Sequence, residues 1–197
     1  MKVIGITGGI GSGKSEVLKF LKQLGYYVIE ADKLSHSLME KGEKAYNRIV
    51  DEFGSGILDD AGNIDRVVFR EIVFGDEKAL GSLNAIVHPA VKDYIINDIR
   101  EKTSSNQFEY YFIEAALLIQ DGYKSICDEI WYIYADVDIR LERLVAGRGG
   151  SKEFYRNIVS KQESEDYYRD NSNIVIDNSA DFSLTMNKIK ELLNIAN

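Results

Sequence analysis

Short apolar runs rich in β-branched and aromatic residues alternate with longer amphipathic stretches along this chain. The runs cover residues 3–6, 27–29, 110–113, 130–134 and 174–176. They predict buried strands, because strands that are covered on both faces are almost continuously apolar. Strands that alternate with helices indicate an α/β fold of three layers, in which helices cover a mainly parallel five-stranded sheet.

The segment between the first two runs predicts a helix. Val17, Leu18, Leu21 and Leu24 recur at the spacing of one helical face, and Gly25 is suited to end the helix. The chain therefore begins with a strand, a loop, a helix and a second strand.

Two later stretches differ from this alternation. Residues 33–102 contain no convincing strand, and amphipathic segments such as Leu83, Ile86, Val87 and Val91 indicate a helical insertion. Residues 140–162 place four arginines around three glycines, so we expect a mobile cationic loop that acts as a lid. The arginines are Arg140, Arg143, Arg148 and Arg156. The other residues, 1–32, 103–139 and 163–197, are predicted to form the main domain, which contains all five strands.

Composition excludes several classes of protein. The chain has 197 residues, 45% of them hydrophobic, which suits one globular domain with small excursions. A net charge of −8 disfavours binding to nucleic acid, whose phosphates are held by basic surfaces. The apolar runs are far shorter than the roughly 20 residues that span a bilayer, so we expect no membrane segment.

The single cysteine bears on the cellular compartment. Cys127 can form neither an intrachain disulfide nor a cysteine zinc site, and the amino terminus does not resemble a secretory signal. We therefore expect a cytoplasmic protein in which Cys127 packs in the core.

One motif predicts a phosphate ligand. Residues 8–15 fit the pattern Gly-x-x-x-x-Gly-Lys-Ser, directly after a predicted strand and before a predicted helix. This is the context of a P-loop, whose glycines let backbone N–H groups surround the phosphates of a nucleoside triphosphate. We expect the nucleoside triphosphate to contact Gly8, Gly9, Ile10, Gly11, Ser12, Gly13, Lys14, Ser15 and Glu16.

Individual side chains of the motif have separate expected roles. Lys14 is expected to reach the β and γ phosphates, and the Ser15 hydroxyl to bind Mg²⁺. A dinucleotide site is disfavoured, because Lys14 stands where that motif needs glycine or alanine. Glu16 is an acid beside a polyphosphate, which is tolerated if its side chain points outward or favours the helix N-terminus.

Three acidic residues follow apolar runs, where the carboxyl ends of parallel strands meet. They are Asp32, Glu114 and Asp177. Ligands of open α/β sheets lie at this edge, so the acids suit a phosphoryl-transfer site with magnesium. Asp32 could accept a proton from a phosphoryl acceptor, or it could cap the helix that follows. The chain lacks an Asn-Lys-x-Asp segment that selects guanine, which argues against a signalling GTPase.

Several stretches together carry a family resemblance. They are residues 6–15, Glu30-Ala31-Asp32 followed by His36, residues 64–66 and 72–74, Leu83-Asn-x-Ile-x-His88-Pro89, the arginine segment ending at Gln162, and residues 175–178. In these stretches, which extend over nearly the whole chain, the sequence resembles the dephospho-coenzyme A kinases. The His88-Pro89 stretch is the most specific of them after the P-loop.

The resemblance implies transfer of the γ-phosphoryl group of ATP to the ribose 3′-hydroxyl of dephospho-coenzyme A, the last step of coenzyme A synthesis. It implies that Asp32 is the general base, that the insertion binds coenzyme A, and that Arg66, His88 and Pro89 lie near the acceptor. It also places Arg143 and Arg148 in the lid, with Arg148 as a catalytic residue beside Lys14. Taken alone, His88 would more often be structural, and Pro89 a helix start or a turn.

Departures from the family pattern keep alternatives open. Glu30 stands where the family has aspartate, and Gln120 stands where it has a carboxylate. A nucleoside or nucleotide kinase would share the P-loop, the acid after the second strand and the arginine lid. A non-catalytic ATP-dependent regulator is the alternative from another class, suggested by Gln120 and Glu16 alone.

Overall fold

All five apolar runs form strands in the computed structural model, which describes residues 1–195. The strands are β1 (Lys2–Thr7), β2 (Tyr27–Glu30), β3 (Tyr110–Glu114), β4 (Glu129–Tyr134) and β5 (Ile174–Asp177). Each strand contains the predicted run and extends it by one or two residues, so the prediction of the strands is confirmed.

The strands form one sheet in the order β2-β3-β1-β4-β5. β1 pairs in parallel with β3 on one side and with β4 on the other, and β4 pairs in parallel with β5. The chain therefore leaves β1 toward one side of the sheet and later crosses from β3 to β4 on the other side. Ligands of open α/β sheets bind at such a switch point, beyond the carboxyl ends of the strands.

Helices fill most of the remaining chain. In chain order they are α1 (Lys14–Gln23), α2 (Ala31–Leu38), α3 (Tyr46–Phe53), α4 (Arg66–Gly75), α5 (Glu77–Ser105), α6 (Val137–Arg148), α7 (Lys152–Val159), α8 (Glu165–Asp170) and α9 (Phe182–Leu192). Two short 3-10 helices occupy Ser55–Ile57 and Tyr123–Ser125. Between residues 1 and 195, every helix is too short or too polar to span a bilayer.

The chain divides into two compact units. The first comprises Met1–Val28 and the chain from Asn106 onward, and the second comprises Ile29–Ser105. The first unit contains most of the sheet together with α1 and α6 to α9, whereas α2 to α5 belong to the second.

In the first unit, α1 and α9 cover one face of the sheet. The core on this face includes Ile4, Ile6, Val17, Leu18, Leu21, Phe112, Trp131 and Ile189, all buried. The predicted apolar face of α1 is therefore confirmed. Gly25 follows the helix with a φ of 84°, in the left-handed region that glycine adopts readily, so it ends α1 as predicted.

The opposite face of the sheet is also covered. A Cβ on Gly5 of β1 would lie 3.0 Å from Cδ1 of Leu118 and 3.0 Å from Sγ of Cys127. Burial raises the pKa of Cys127 to about 12, so this cysteine packs against β1 as a neutral thiol. Tyr168 of α8 stacks on Tyr132 of β4, with 5.0 Å between ring centroids. Packing on both faces confirms the three-layer prediction.

The second unit is helical and has its own core. Helices α2 and α4 both pack on α5, which is 29 residues long. The core includes Leu38, Ile49, Ile57, Phe69, Val73, Ile86, Val87, Val91 and Ile95. Three of the four residues that predicted an amphipathic helix, Ile86, Val87 and Val91, are thus buried, and Leu83 is half-buried.

Residues 140–162 were predicted to form a loop, and this prediction is wrong because most of them are helical. Helix α6 continues to Arg148, and α7 begins at Lys152. Gly149 and Gly150 separate the two helices with φ of 72° and 85°, in the left-handed region that favours glycine. Leu141, Leu144 and Tyr155 form a small core that joins α6 to α7.

The core assignment can be tested with two leucines. Leu21 is 0% exposed and Leu184 of α9 is 60% exposed. We expect Leu21→Ala to lower the free energy of unfolding by about 2–5 kcal/mol, because it leaves a cavity between α1 and the sheet. Leu184→Ala removes the same atoms from the surface, and we expect it to change the free energy of unfolding by less than about 0.5 kcal/mol. Denaturant unfolding measures both, and equal losses would contradict the assignment.

Candidate phosphate-binding site

The loop between β1 and α1 requires glycine at its last position. Gly13 immediately precedes α1 and has a φ of 93°, in the left-handed region. A Cβ on this residue would lie 2.1 Å from Nδ2 of Asn178, which is closer than any side chain could approach. Gly13 therefore permits both the turn into the helix and a close contact with the residue that follows β5.

Three backbone donors of this loop have no acceptor among the described residues. The N–H groups of Gly11, Gly13 and Ser15 make no hydrogen bond within residues 1–195. Unpaired N–H groups are rare in protein interiors, and those that reach the surface remain open to water or to a ligand. Ser15 also lies in the first turn of α1, where the helix dipole adds positive potential. Such donors at a helix N-terminus favour a bound anion.

Side chains of the motif add charge to the loop. Nζ of Lys14 donates to the carbonyl oxygen of Gly8 at 2.7 Å and lies 3.4 Å from that of Gly9. The ammonium group is thereby held against the first residues of the loop. The side chains of Ser15 and Glu16 are exposed, so the acid next to the phosphate site faces solvent.

Asn178 holds the last part of the loop. Its Nδ2 donates to the carbonyl oxygen of Ser12 at 2.8 Å, and its Oδ1 accepts from Oγ1 of Thr185 at 2.8 Å. Its own N–H donates to the carbonyl oxygen of Tyr134 at 2.8 Å. Asn178 is 0% exposed, so these bonds join the loop to β4 and α9 inside the first unit.

Arg140 and Gln162, which we call the Ile10 clamp, hold the tip of the loop. Nε of Arg140 donates to the carbonyl oxygen of Ile10 at 2.8 Å, and the N–H of Ile10 donates to Oε1 of Gln162 at 3.0 Å. The same Oε1 accepts from a terminal nitrogen of Arg140 at 2.7 Å. A Cβ on Gly9 would lie 2.2 Å from that nitrogen, so glycine is also needed here.

Arg140 is largely buried and has no carboxylate partner among the described residues. Its exposed fraction is 9%, and burial lowers the pKa of its guanidinium. Burial likewise raises the pKa of Tyr132 to about 12 and that of Tyr168 in the same direction, so both phenols are neutral near pH 7. These residues line a cavity of about 330 Å³ together with Gln162, Glu163 and Glu165. Arg140 is thus a buried cation whose side-chain hydrogen bonds go to neutral groups, and the two carboxylates of the cavity do not pair with it.

The two lid arginines occupy different environments. Arg143 lies one turn after Arg140, so both face the loop. One of its terminal nitrogens is buried without a hydrogen bond to the described residues, as is Oγ of Ser12. That nitrogen would lie 3.7 Å from a Cβ on Gly13. Arg148 ends α6 with an exposed side chain that makes no hydrogen bond or ion pair in the first unit up to residue 195.

Two of the predicted acids end their strands. Glu114 is the last residue of β3 and is 9% exposed, and Asp177 is the last residue of β5 and accepts from the N–H of Ser179 at 2.8 Å. Three strand spacings, about 14 Å, separate β3 from β5, so the two carboxylates do not share one metal ion. Residues 1–195 contain no cluster of three or more histidine, cysteine, aspartate or glutamate side chains that could hold a metal.

The predicted acceptor residues all lie in the second unit. Asp32 is the second residue of α2, and the residue that precedes this helix is Glu30, so the alternative that Asp32 caps the helix is wrong. The Asp32 carboxylate is exposed. Arg66 begins α4, and its guanidinium lies 4.0 Å from the carboxylate of Glu40 in an exposed pair.

His88 and Pro89 lie in the middle of α5. Pro89 is neither a helix start nor a turn residue, so that alternative is wrong, and the peptide bond between His88 and Pro89 is trans. Because proline has no N–H group, α5 lacks one of its internal hydrogen bonds at this point. Helices α2 and α4, which carry Asp32 and Arg66, both pack on α5.

The sequence alone gave no role to several residues of this site. Arg140 and Gln162 were assigned only to the lid, and Asn178 only to a matching stretch. They are 130, 152 and 166 positions away from the loop residues that they bind, so no local pattern indicates these contacts. A weak signal was the place of Asn178 two residues after an apolar run, next to Asp177.

Known proteins are similar to this chain in sequence and in fold. A family model described as dephospho-CoA kinase matches residues 2–183. The dephospho-CoA kinase of Aquifex aeolicus is 39% identical over 194 residues, which cover 98% of this chain and 96% of that protein. The one of Carboxydothermus hydrogenoformans is 37% identical over 194 residues, covering 98% and 93%.

A solved structure agrees with these sequence matches. The dephospho-CoA kinase from Campylobacter jejuni superposes with a TM-score of 0.74 over 98% of this chain and 96% of that chain, and at 22% identity this likeness shows the fold. The family model covers far more than half of the chain. The chain belongs to the dephospho-CoA kinase family.

Proposed function

We propose that this protein transfers the γ-phosphoryl group of ATP to the ribose 3′-hydroxyl of dephospho-coenzyme A, which yields coenzyme A and ADP. The observation that carries the proposal is the phosphate loop at residues 8–15 in a chain of the dephospho-CoA kinase family. We place this reaction at the end of coenzyme A synthesis and the protein in the cytoplasm.

The donor half of the site would be built on this loop. Phosphoryl transfer passes through a loose transition state, so acceleration comes mainly from alignment and from neutralisation of charge. The unpaired N–H groups of Gly11, Gly13 and Ser15 would bind phosphate oxygens. Lys14 would leave the carbonyl oxygen of Gly8, to which it donates at 2.7 Å, and contact the β and γ phosphates.

The residues present also fit a magnesium ion. The Ser15 hydroxyl is exposed at the start of α1 and would hold Mg²⁺. Magnesium keeps several water and phosphate ligands and needs few from the protein, so one hydroxyl beside a bound triphosphate suits it. When bound, the ion neutralises charge on the β and γ phosphates.

The acceptor half would come from the second unit. Asp32 would orient the 3′-hydroxyl and accept its proton, because its carboxylate is exposed and is not consumed as a helix cap. Arg66, His88 and Pro89 would lie near the acceptor and shape its site. The helical insertion, residues 33–102, would bind the rest of the coenzyme.

The lid, residues 140–162, would complete the donor site. Arg143 and Arg148 would contact ATP, and Arg148 would act on the transferred phosphoryl group together with Lys14. Closure of the two helices over ATP would exclude water, which competes with the acceptor for the phosphoryl group. We expect slow hydrolysis of ATP when no acceptor is present.

Release of ADP tests the proposal directly. The protein is incubated with ATP and Mg²⁺ and with dephospho-coenzyme A, a nucleoside or a nucleoside monophosphate as separate acceptors. We expect rapid ADP release with dephospho-coenzyme A alone, and coenzyme A as the product. Turnover of a nucleoside or nucleotide instead would favour the related kinases. Stoichiometric ATP binding without turnover on any acceptor would favour a regulator.

Replacing the proposed base tests the acceptor half. We expect Asp32→Asn to lower kcat by about 100-fold or more, because general bases contribute about 10²–10⁴ to rate. ATP affinity, measured by titration calorimetry, is expected to stay close to that of the parent. Asp51→Asn, an exposed aspartate of α3 in the same unit, is the matched control. Parent-like turnover of Asp32→Asn would remove Asp32 from the base role.

The lid arginines can be separated by alanine variants. We expect Arg143→Ala and Arg148→Ala each to lower kcat/KM for ATP by about tenfold or more, because each guanidinium neutralises phosphate charge. Arg156→Ala, at an exposed arginine of α7, is the matched control and is expected to have little effect. Parent-like kinetics for Arg148→Ala together with loss of activity for Arg143→Ala would show that Arg148 was wrongly assigned.

A further inference from the structure

We propose that Gln162 is an amide so that Arg140 keeps its positive charge for the phosphates of ATP. In this view the Ile10 clamp has two functions, to fix the tip of the phosphate loop and to place beside it a cation that is not paired with a carboxylate. Arg140 and Gln162 are then positioning residues for the donor. The inference rests on the proposed function, because it requires that the loop binds ATP.

The hydrogen bonds of the Ile10 clamp explain how it fixes the tip of the phosphate loop. Both polar groups of Ile10 are bonded to it, the carbonyl oxygen to Nε of Arg140 at 2.8 Å and the N–H to Oε1 of Gln162 at 3.0 Å. The bond of 2.7 Å between Arg140 and Gln162 closes a ring of three residues. Since Ile10 lies at the tip of the loop, the ring limits how far the neighbouring donors can move.

The second function, a cation beside the loop, depends on Arg140 having no carboxylate partner. No carboxylate among residues 1–195 lies within 4.0 Å of its guanidinium, and its two side-chain hydrogen bonds go to neutral oxygens of Ile10 and Gln162. The phenols of Tyr132, Tyr134 and Tyr168 act on its charge. The carboxylates of Glu163 and Glu165 line the same cavity, but neither forms an ion pair with it among the described residues. Only 9% of Arg140 is exposed, and a buried arginine without a carboxylate is unfavourable in the protein alone.

The charge of Arg140 also depends on residue 162 being glutamine and not glutamate. A glutamate at this position would have the same number of heavy atoms, and a carboxylate oxygen would accept from both Ile10 and Arg140. It would also pair with the guanidinium and relieve the buried charge. The amide keeps both bonds and leaves the charge in place. One terminal nitrogen of Arg140 lies so close to Gly9 that a Cβ there would be 2.2 Å away, so the charge adjoins the loop itself.

The substitution Gln162→Glu separates the two functions. It retains the acceptor of the clamp and adds one negative charge beside the loop. We expect its melting temperature to equal or exceed that of the parent, and its Kd for ATP to rise about tenfold or more, because a buried charge pair is poorly screened. The rise in Kd is expected to be smaller for ADP, which carries less charge.

Two control variants distinguish the added charge from the loss of the hydrogen-bond acceptor. Gln107→Glu makes the same chemical change at an exposed residue just before β3, at the edge of the sheet opposite the carboxyl ends of its strands, and is expected to leave ATP affinity unchanged. Gln162→Leu removes the acceptor without adding charge. We expect it to lower the melting temperature and to weaken ATP and ADP by the same factor, because it loosens the loop alone.

Calorimetric titration with ATP and with ADP, and thermal unfolding of each variant, measure these outcomes. A parent that binds ATP together with a Gln162→Glu variant of equal affinity would overturn the charge role while leaving the proposed function intact. The same holds if Gln162→Glu weakens ATP and ADP equally, as Gln162→Leu is expected to do. A parent that does not bind ATP would overturn the proposed function, and this inference with it.

Discussion

A loop that binds phosphate must leave its inward N–H groups without partners, so fewer of its own hydrogen bonds are available to hold it together. Here the N–H groups of Gly11, Gly13 and Ser15 are unpaired within the first 195 residues. The loop is instead held from outside, by Asn178 at Ser12 and by the Ile10 clamp at its tip. Much of the first unit serves to bring these supports to the carboxyl edge of the sheet.

The order of the strands explains how the supports arrive there. β4 lies next to β1 and β5 lies beyond β4, so the segments that follow β4 and β5 leave the sheet on one side of the loop that follows β1. Asn178 comes directly after β5, and α6, which carries Arg140, begins shortly after β4. Gln162 returns to the same place because α7 packs back on α6 through Leu141, Leu144 and Tyr155. The glycines between these helices permit that reversal.

Local patterns in the sequence predicted the strands, α1 and the phosphate loop, because each depends on neighbours within about ten residues. The same reasoning failed for residues 140–162, where paired glycines suggested a loop although they only separate two helices. It also left the cap alternative open for Asp32, which the structure decides by starting α2 at Ala31. The supports of the loop were out of reach, since they join residues 130 to 166 positions apart.

The two arginines of α6 that face the phosphate loop, Arg140 and Arg143, have no carboxylate partner among residues 1–195. Arg140 is bonded to a carbonyl oxygen and an amide, and one nitrogen of Arg143 is buried without a partner in the part of the chain described. The chain has 32 acidic residues against 24 lysines and arginines, so carboxylates are plentiful, yet none within residues 1–195 pairs with these two arginines. Pairing would stabilise the free protein, and it would also cancel the potential that a triphosphate needs. A donor site of this kind is therefore expected to gain stability when ATP binds, because the ligand supplies the missing negative charge.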